Sequence, residues 1–215
     1  MQYQTNAVLQ KIIAQKLVSL AHNQYDFRGK SILDVGSGTG FIAQNLIMHG
    51  VNPQNITQFD HNPNSLNIAK QFGHIQVTDF NKPLYCKQKF DVIFSSMALQ
   101  WAKNLHTTIN NIHNLLKQDG RLYITVPLQG SLKEMYNTLQ ISLFAFPAQE
   151  DIHTNMSILH SQYYMENVYI ALKNIHIANL TVGNGTNIIK SKLLAMKHQS
   201  TYWNVGFYTL KDTDF

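Results

Sequence analysis

The sequence predicts an α/β fold, a parallel sheet covered by helices on both faces, and three observations carry that prediction. Short apolar runs of strand length alternate with segments whose apolar residues recur at helical spacing, from Leu9 through Val126. One such run empties into three glycines within five residues, Gly36, Gly38 and Gly40, with a helical segment directly behind it. No fixed-period repeat and no Gly/Ser/Pro-rich linker divides the 215 residues, a length that suits one sizeable core.

Leu9, Ile12, Ile13, Leu17 and Leu20 share one face of a helix over 9–22. The apolar run 31–35 is short and glycine-terminated, so it reads as a buried strand; 41–49 reads as a helix with Gly50 as its C-cap. A strand over 55–59 ends at Asp60, a helix over 64–72 stops at Gly73, and a strand over 74–77 ends near Asp79. Another strand covers 90–95, a helix 105–117, and a β-branched strand 121–126 is closed by Pro127. Beyond Pro127 the periodicity weakens. Ser131 as N-cap with Glu134 completing a capping box predicts a helix over 131–144. A loop over 147–154, a strand over 158–164, helices over 166–175 and 187–198, and an aromatic, β-branched strand over 202–210 complete the chain. Strands alternating with helices argue parallel pairing.

A hydrophobic fraction of 44% excludes a disordered chain, although 13% charged residues is low. The 21 Asn and 18 Gln that fill the gap are scattered, so they read as surface substitutions and not as a prion-like segment. Cys86 stands alone and cannot form an internal disulfide; no Cys/His spacing suits structural zinc, and no metal is expected. The first twenty residues alternate polar and apolar, without the run of a signal peptide or membrane span, which points to the cytoplasm and to no membrane partner. A net charge of +5 suits an anionic partner. The lysines are spread out, however, and no basic stripe is interleaved with aromatics, so nucleic acid ranks last among partners.

The most informative segment runs from Ile32 to Gly40. Glycine at these positions lets the backbone turn sharply and lets a ligand lie against peptide groups. Dinucleotide enzymes space their glycines G-x-G-x-x-G to present a helix N-terminus to a pyrophosphate; here the spacing is G-x-G-x-G behind an acid. Asp34 suits a cationic or hydroxyl-bearing ligand better than a phosphate. Asp60 and Asp79 close the next two strands, where either would also serve simply as a cap for a succeeding helix.

Strand, glycine loop and ordered acids together resemble the class I methyltransferases that use S-adenosylmethionine. The resemblance implies a Rossmann-like, seven-stranded, mostly parallel sheet with helices on both faces and a helical lid. It implies one methyltransferase domain over 1–215, divided into a lid helix (1–25), a cofactor-binding half (26–130) and a substrate-side lid with C-terminal strands (131–215). On that resemblance Asp34, Gly36, Ser37, Gly38, Gly40 and Ser96 line the cofactor, and Asp60 accepts both ribose hydroxyls. Asp79 then accepts the adenine amino group, while His61 and Phe80 flank the ring.

The acceptor is read from the end of the fourth strand. Ser95-Ser96-Met97-Ala98 replaces the Asn/Asp-Pro-Pro-aromatic tetrad of the amino methyltransferases, and no Pro-Cys pair exists for attack on cytosine. Ala98-Leu99-Gln100-Trp101 and Leu128-Gln129-Gly130-Ser131-Leu132-Lys133-Glu134-Met135 resemble the malonyl-acyl-carrier-protein O-methyltransferases of biotin synthesis. The pattern Tyr3, Ala7, Gln10, Ala14, Leu17, Leu20 is similar to that family's lid helix, and Ala171-Leu172-Lys173-Asn174-Ile175 to its late helix. The chain starts at the lid helix, and its stretch between Phe144 and Ile158 is shorter than in most of that family.

The resemblance implies methyl-ester formation on the free carboxylate of malonyl-acyl carrier protein by a cytoplasmic, monomeric enzyme. A carboxylate is already ionised at neutral pH, so no catalytic base is nominated, only positioning by Tyr3, Gln10, Gln100 and Trp101. Trp101 reads equally as a hydrophobic plug. Arg28 and Arg121, the only arginines, sit at no obvious site position. Lys103, Lys133, Lys190, Lys192 and Lys197 are the candidate docking residues for an acidic carrier protein. The alternatives are methylation of another small molecule, such as a quinone precursor or organic acid, and a non-methylating assembly factor that binds S-adenosylmethionine.

Overall fold

The computed structural model describes residues 7–139, 145–152, 155–167, 170–171 and 199–211. Among them seven strands form one sheet: β1 (Ile32–Val35), β2 (Ile56–Asp60), β3 (His74–Val77), β4 (Phe90–Ser96), β5 (Leu116–Pro127), β6 (Ser157–Asn167) and β7 (Ser200–Lys211). Their order is β3-β2-β1-β4-β5-β7-β6. The first five pair in parallel, and β7 runs antiparallel between β5 and β6. The helices are α1 (Val8–His22), α2 (Phe41–Met48), α3 (Pro63–Ala69), α4 (Leu105–His113) and α5 (Lys133–Leu139).

Successive strand residues feed opposite faces, and both faces are buried. Ile32, Val92, Phe94 and Tyr123 join Leu9, Ile13, Leu17, Ile42 and Leu46 of α1 and α2 in one apolar cluster. Leu33, Ile93, Leu122 and Ile124 join Ile109 and Ile112 of α4 in the other. This is why the central strands are continuous apolar runs with no polar alternation. Phe94 stacks on Tyr123 at 5.4 Å between centroids and meets Phe27 edge-on at 5.6 Å, closing the first cluster beneath α1. At the sheet edge β3 is exposed at all four positions, so helices do not cover both faces there.

Several expected boundaries move, each for a tertiary reason. The helix expected over 105–117 ends at His113, because Leu116 pairs with Phe90 and begins β5. A register shift between Phe90 and Val92 then restores pairing at Arg121. The helix expected over 64–72 becomes α3 followed by a 3₁₀ turn, Lys70–Phe72. Ser131 does not cap a helix: its Oγ donates to the Asn204 carbonyl and accepts from the Asn204 N–H, fastening the end of β5 to β7. Leu132 then adopts φ +61° and α5 starts at Lys133, so the capping box is not formed. A 3₁₀ turn, Gln149–Asp151, occupies the expected loop. β6 extends through Glu166 and Asn167, where a helix was expected; of that helix Ile170 and Ala171 are helical, and its remainder lies outside the described residues, as do 140–144 and the helix over 187–198.

The amides do more than cover surface. Asn62 Oδ1 accepts the Asn64 N–H at the start of α3, and Asn104 Oδ1 accepts the Thr107 N–H at the start of α4. Asn52 Oδ1 does the same for the turn before β2. Each satisfies a helix-end N–H that otherwise lacks a partner.

Under the sheet, Asp91 Oδ2 takes the Ser31 N–H, the Ser31 hydroxyl and Lys117 Nζ at 2.7–2.8 Å. Burial alone would raise this carboxyl, but the bonds from Lys117 and Ser31 outweigh it and hold it at about 2, below its ordinary 3.8. A carboxyl depressed in the folded state contributes stability above pH 3.8, and that contribution is lost as pH falls toward 2. Asp91→Asn should lower stability by about 1 kcal/mol at neutral pH, allowing for solvent screening at the half-exposed lysine. Urea unfolding at neutral pH should show that gap, and repetition at about pH 3 should show it narrowed. An unchanged gap would remove the ion pair from the explanation.

Candidate active site

A crevice of about 420 Å³ opens at the carboxyl ends of β1 and β4, lined by Gln10, Ala14, Asp34, Gly36, Ser37, Gly38, Thr39, Phe41, Ile42, Ser96 and Met97. Crossovers on either side of β1 leave their loops at this end of the sheet, the usual place for a ligand in an open α/β fold. Helix α1 supplies the opposite wall through Gln10 and Ala14, one turn apart.

The glycine loop is held by backbone and carboxylate. Gly36 and Ser37 N–H both donate to the Phe59 carbonyl at 2.8 and 3.0 Å, which docks the loop on β2. A Cβ on Gly36 would stand 2.4 Å from Ala98 Cβ, and one on Gly40 would stand 2.9 Å from Gln58 Oε1, so neither position has room for a side chain. Gly38 differs, because its Cβ would meet nothing within 4 Å. Its N–H donates to Asp60 Oδ2 at 2.8 Å, while Asp60 Oδ1 accepts the Asn62 N–H at 2.8 Å. Asp60 therefore pins the loop and the turn into α3 together. Each carboxylate oxygen offers two lone pairs, so a further acceptor position remains on both.

Asp34 is buried at 1% exposure, and neither of its oxygens has a hydrogen-bond partner among the described residues. Burial first, and the nearby Asp60 second, push its carboxyl well above the ordinary carboxylate range. Such a group costs stability when ionised, and a donor in the crevice would offset that cost. Ser37 Oγ, Thr39 Oγ1 and Gln10 Oε1 are likewise buried without a partner there.

The other expected site residues stand around this centre. Phe80 is half-buried, with its ring edge 3.7 Å from where a Gly36 Cβ would be. Asp79 Oδ1 accepts the Asn81 N–H, and Asp79 is not among the crevice-lining residues. His61 is exposed, with Nδ1 3.6 Å from Asp60 Oδ1. Asn81 ties the loop after β3 to the segment after β4, accepting from Lys103 N–H at 2.7 Å. Gln100 is buried in the 3₁₀ turn Leu99–Trp101 and folds its amide back to donate to the Met97 carbonyl at 2.7 Å, away from the crevice wall. Trp101 is half-buried beside it.

Arg28 pairs with exposed Asp26, and Arg121 lies over the Tyr25 ring at 5.0 Å; neither lines the crevice. Lys103 and Lys133 are exposed, beyond the carboxyl ends of β4 and β5. Tyr3, Lys190, Lys192 and Lys197 lie outside the described residues. Sequence reasoning missed Ala14, Thr39, Phe41, Ile42 and Met97. Thr39 was legible as a member of the glycine loop. Met97 was not: it turns into the crevice through a left-handed backbone, φ +52°, with its N–H held by Thr125.

The described residues contain no group of three or more His, Cys, Asp or Glu placed to hold a metal ion. They contain no helix long and apolar enough to cross a membrane.

A family model described as a methyltransferase domain matches residues 2–177. The chain belongs to the S-adenosylmethionine-dependent methyltransferases. It is similar to the malonyl-[acyl-carrier protein] O-methyltransferase of Calditerrivibrio nitroreducens, 29% identical over 66% of this chain and 56% of that protein. It is also similar to the ubiquinone biosynthesis O-methyltransferase of Glaesserella parasuis, 32% identical over 45% of each. Among solved structures, the YcgJ protein from Bacillus subtilis superposes with a TM-score of 0.64 at 14% identity, covering 90% of this chain and 97% of that one, which shows the fold. The chain spans about half the length of the curated relatives it matches.

Proposed function

We propose that this methyltransferase esterifies the free carboxylate of a malonyl thioester carried by acyl carrier protein, an early step of biotin synthesis. The observation that carries the reading is chemical. Asp34 is the only titratable side chain among the described residues lining the crevice, and it lies at the strand end with its carboxyl pushed up by burial and by Asp60. A carboxylate acceptor has no proton to give, so its methylation asks for no general base from that wall. Relatives named for the malonyl reaction support the same acceptor.

The residues present fit S-adenosylmethionine. Its sugar hydroxyls and ammonium group are donors, matching the unpartnered oxygens of Asp34 and the remaining lone pairs of Asp60. Gly38 leaves open space where a side chain would stand. Asp60 would take the ribose, Asp79 the adenine amino group, and Phe80 a face of the ring, with His61 at its rim. When bound, S-adenosylmethionine supplies a methyl group made electrophilic by the positive sulfur. This chain contributes alignment by Ser96 and Met97 at the end of β4, and exclusion of water by α1. Exposed Lys103 and Lys133 suit an acidic carrier protein; Lys190, Lys192, Lys197 and Tyr3 extend that proposal from the sequence alone.

The similarity to a ubiquinone-pathway enzyme favours a second reading, methylation of a phenolic quinone precursor. A phenol must lose its proton, so the two readings differ in pH dependence. With labelled S-adenosylmethionine and malonyl-acyl carrier protein, label should move to the carrier-bound malonyl group and far less to free malonate. The rate should be flat from about pH 6 to 9, where the malonyl carboxylate is ionised. Transfer to a phenol with a rate rising with pH would favour the second reading; binding without transfer to any acceptor would favour an assembly factor.

A further inference from the structure

The hydroxyl oxygens of Ser96 and Thr125 lie 3.3 Å apart, on adjacent strands and in register. Each stands two residues beyond a member of the cluster packed under α1, Phe94 on β4 and Tyr123 on β5. Both side chains therefore point to the α1 side of the sheet, where the crevice lies. Thr125 is fully buried, and its Oγ1 already accepts the Met97 N–H at 3.1 Å. Its own proton has one acceptor within reach among the described residues, Ser96 Oγ. The reverse arrangement, Ser96 donating to Thr125, would strand a buried donor without a partner and with its desolvation cost unrelieved. Thr125 therefore donates to Ser96, and the Ser96 proton is left to face the crevice that Ser96 lines.

Among the described residues lining the crevice there is no Lys, Arg or His, so an ionised acceptor oxygen has to be held there by neutral donors. Ser37 and Thr39 belong to the glycine loop, which the cofactor reading occupies; Ser96 stands apart from that loop, at the end of β4. Resting on the carboxylate-esterification reading, we infer that Ser96 binds the acceptor: its hydroxyl donates to one oxygen of the acceptor carboxylate, and Thr125 is the positioning residue that turns the proton that way. The second carboxylate oxygen keeps its lone pairs for the methyl group. A hydrogen bond to an ionised oxygen is roughly twice as strong as one to a neutral oxygen, so the same contact weakens once the ester has formed. Ser96, which the resemblance placed beside the cofactor, thus serves the acceptor.

Ser96→Ala, Thr125→Val and the double variant separate this from a packing role, assayed with S-adenosylmethionine and malonyl-acyl carrier protein. All three should bind S-adenosylhomocysteine within about twofold of the unmodified chain, which certifies a folded protein and an intact cofactor site. Ser96→Ala should lower kcat/KM for the malonyl carrier roughly tenfold or more, the range for a hydrogen bond to a charged group. Ser96→Thr, which keeps the hydroxyl, should recover most of that loss. Thr125→Val keeps the shape and removes the proton, while the Met97 N–H retains the Thr125 backbone carbonyl at 3.1 Å. It should lower kcat/KM roughly two- to fivefold where Ser96 is present and have no further effect beside Ser96→Ala, since the two residues act as one unit. Full kcat/KM in Ser96→Ala, a loss of S-adenosylhomocysteine affinity in its place, or additive losses in the double variant would overturn the inference and leave the esterification reading standing. No transfer to malonyl-acyl carrier protein by the unmodified chain would overturn both.

Discussion

Gly36→Ala should destabilise the protein by about 2–4 kcal/mol, while Gly38→Ala, two residues away, should cost about 1–2 kcal/mol. Both residues have positive φ, +72° and +54°, so both substitutions carry a similar backbone cost. The difference is packing. The new methyl at Gly36 would meet Ala98 Cβ at 2.4 Å, and Ala98 sits in the segment that leaves β4, so relief needs backbone movement. The methyl at Gly38 would meet nothing within 4 Å. In ligand binding the order should narrow or reverse, because Gly38 lines the crevice and its new side chain occupies space a ligand needs. Denaturant unfolding of the two variants beside titration with S-adenosylhomocysteine measures both quantities. Equal stability losses would mean that the loop does not rest on Ala98 as described.

The second large effect is at Asp60. Asp60→Ala removes the acceptor proposed for the ribose hydroxyls and should weaken S-adenosylhomocysteine binding by roughly 1.5–3 kcal/mol, about 10- to 150-fold. It also leaves the Gly38 and Asn62 N–H groups without their partner, so the glycine loop loses one of its ties to β2 and keeps the two backbone bonds to Phe59. These two contributions separate on titration with adenine alone, which has no ribose. A loss confined to ribosylated ligands marks the direct contact; a loss shared by adenine marks loosening of the loop. Affinity unchanged for every ligand would remove Asp60 from the site.

How far the sequence was legible depends on which interactions are local. Ile32–Val35 and Phe90–Phe94 were readable as strands because both faces of the central sheet are buried and glycine or polar residues bound each run. The errors fall where a distant partner decides. Leu116 and Lys117 continue a helical pattern, but pairing of Leu116 with Phe90 draws them into β5. Ser131 and Glu134 have the spacing of a capping box, yet the Ser131 hydroxyl is taken by Asn204, 73 residues away. Glu166 begins a helical pattern on its own side of the chain but accepts the Trp203 indole N–H across β6 and β7.

The candidate site divides in the same way. The glycine loop and the acids that close β1 and β2 were readable, because they are chemistry placed at element ends. The dual duty of Asp60, as anchor of Gly38 and cap of the turn to Asn62, was not, since only the loop's path brings that N–H within 2.8 Å. The capping work of Asn62 and Asn104 was hidden inside an amide-rich composition read as surface. Met97 enters the crevice through a backbone conformation that no side-chain pattern announces.

Whether an adenosyl ligand occupies the crevice between α1 and the carboxyl ends of β1 and β4 is tested most directly by calorimetric titration of the unmodified chain with S-adenosylhomocysteine. The predicted result is saturable binding of one ligand per chain, weakened by Asp60→Ala. No heat of binding, or binding indifferent to that substitution, would contradict it.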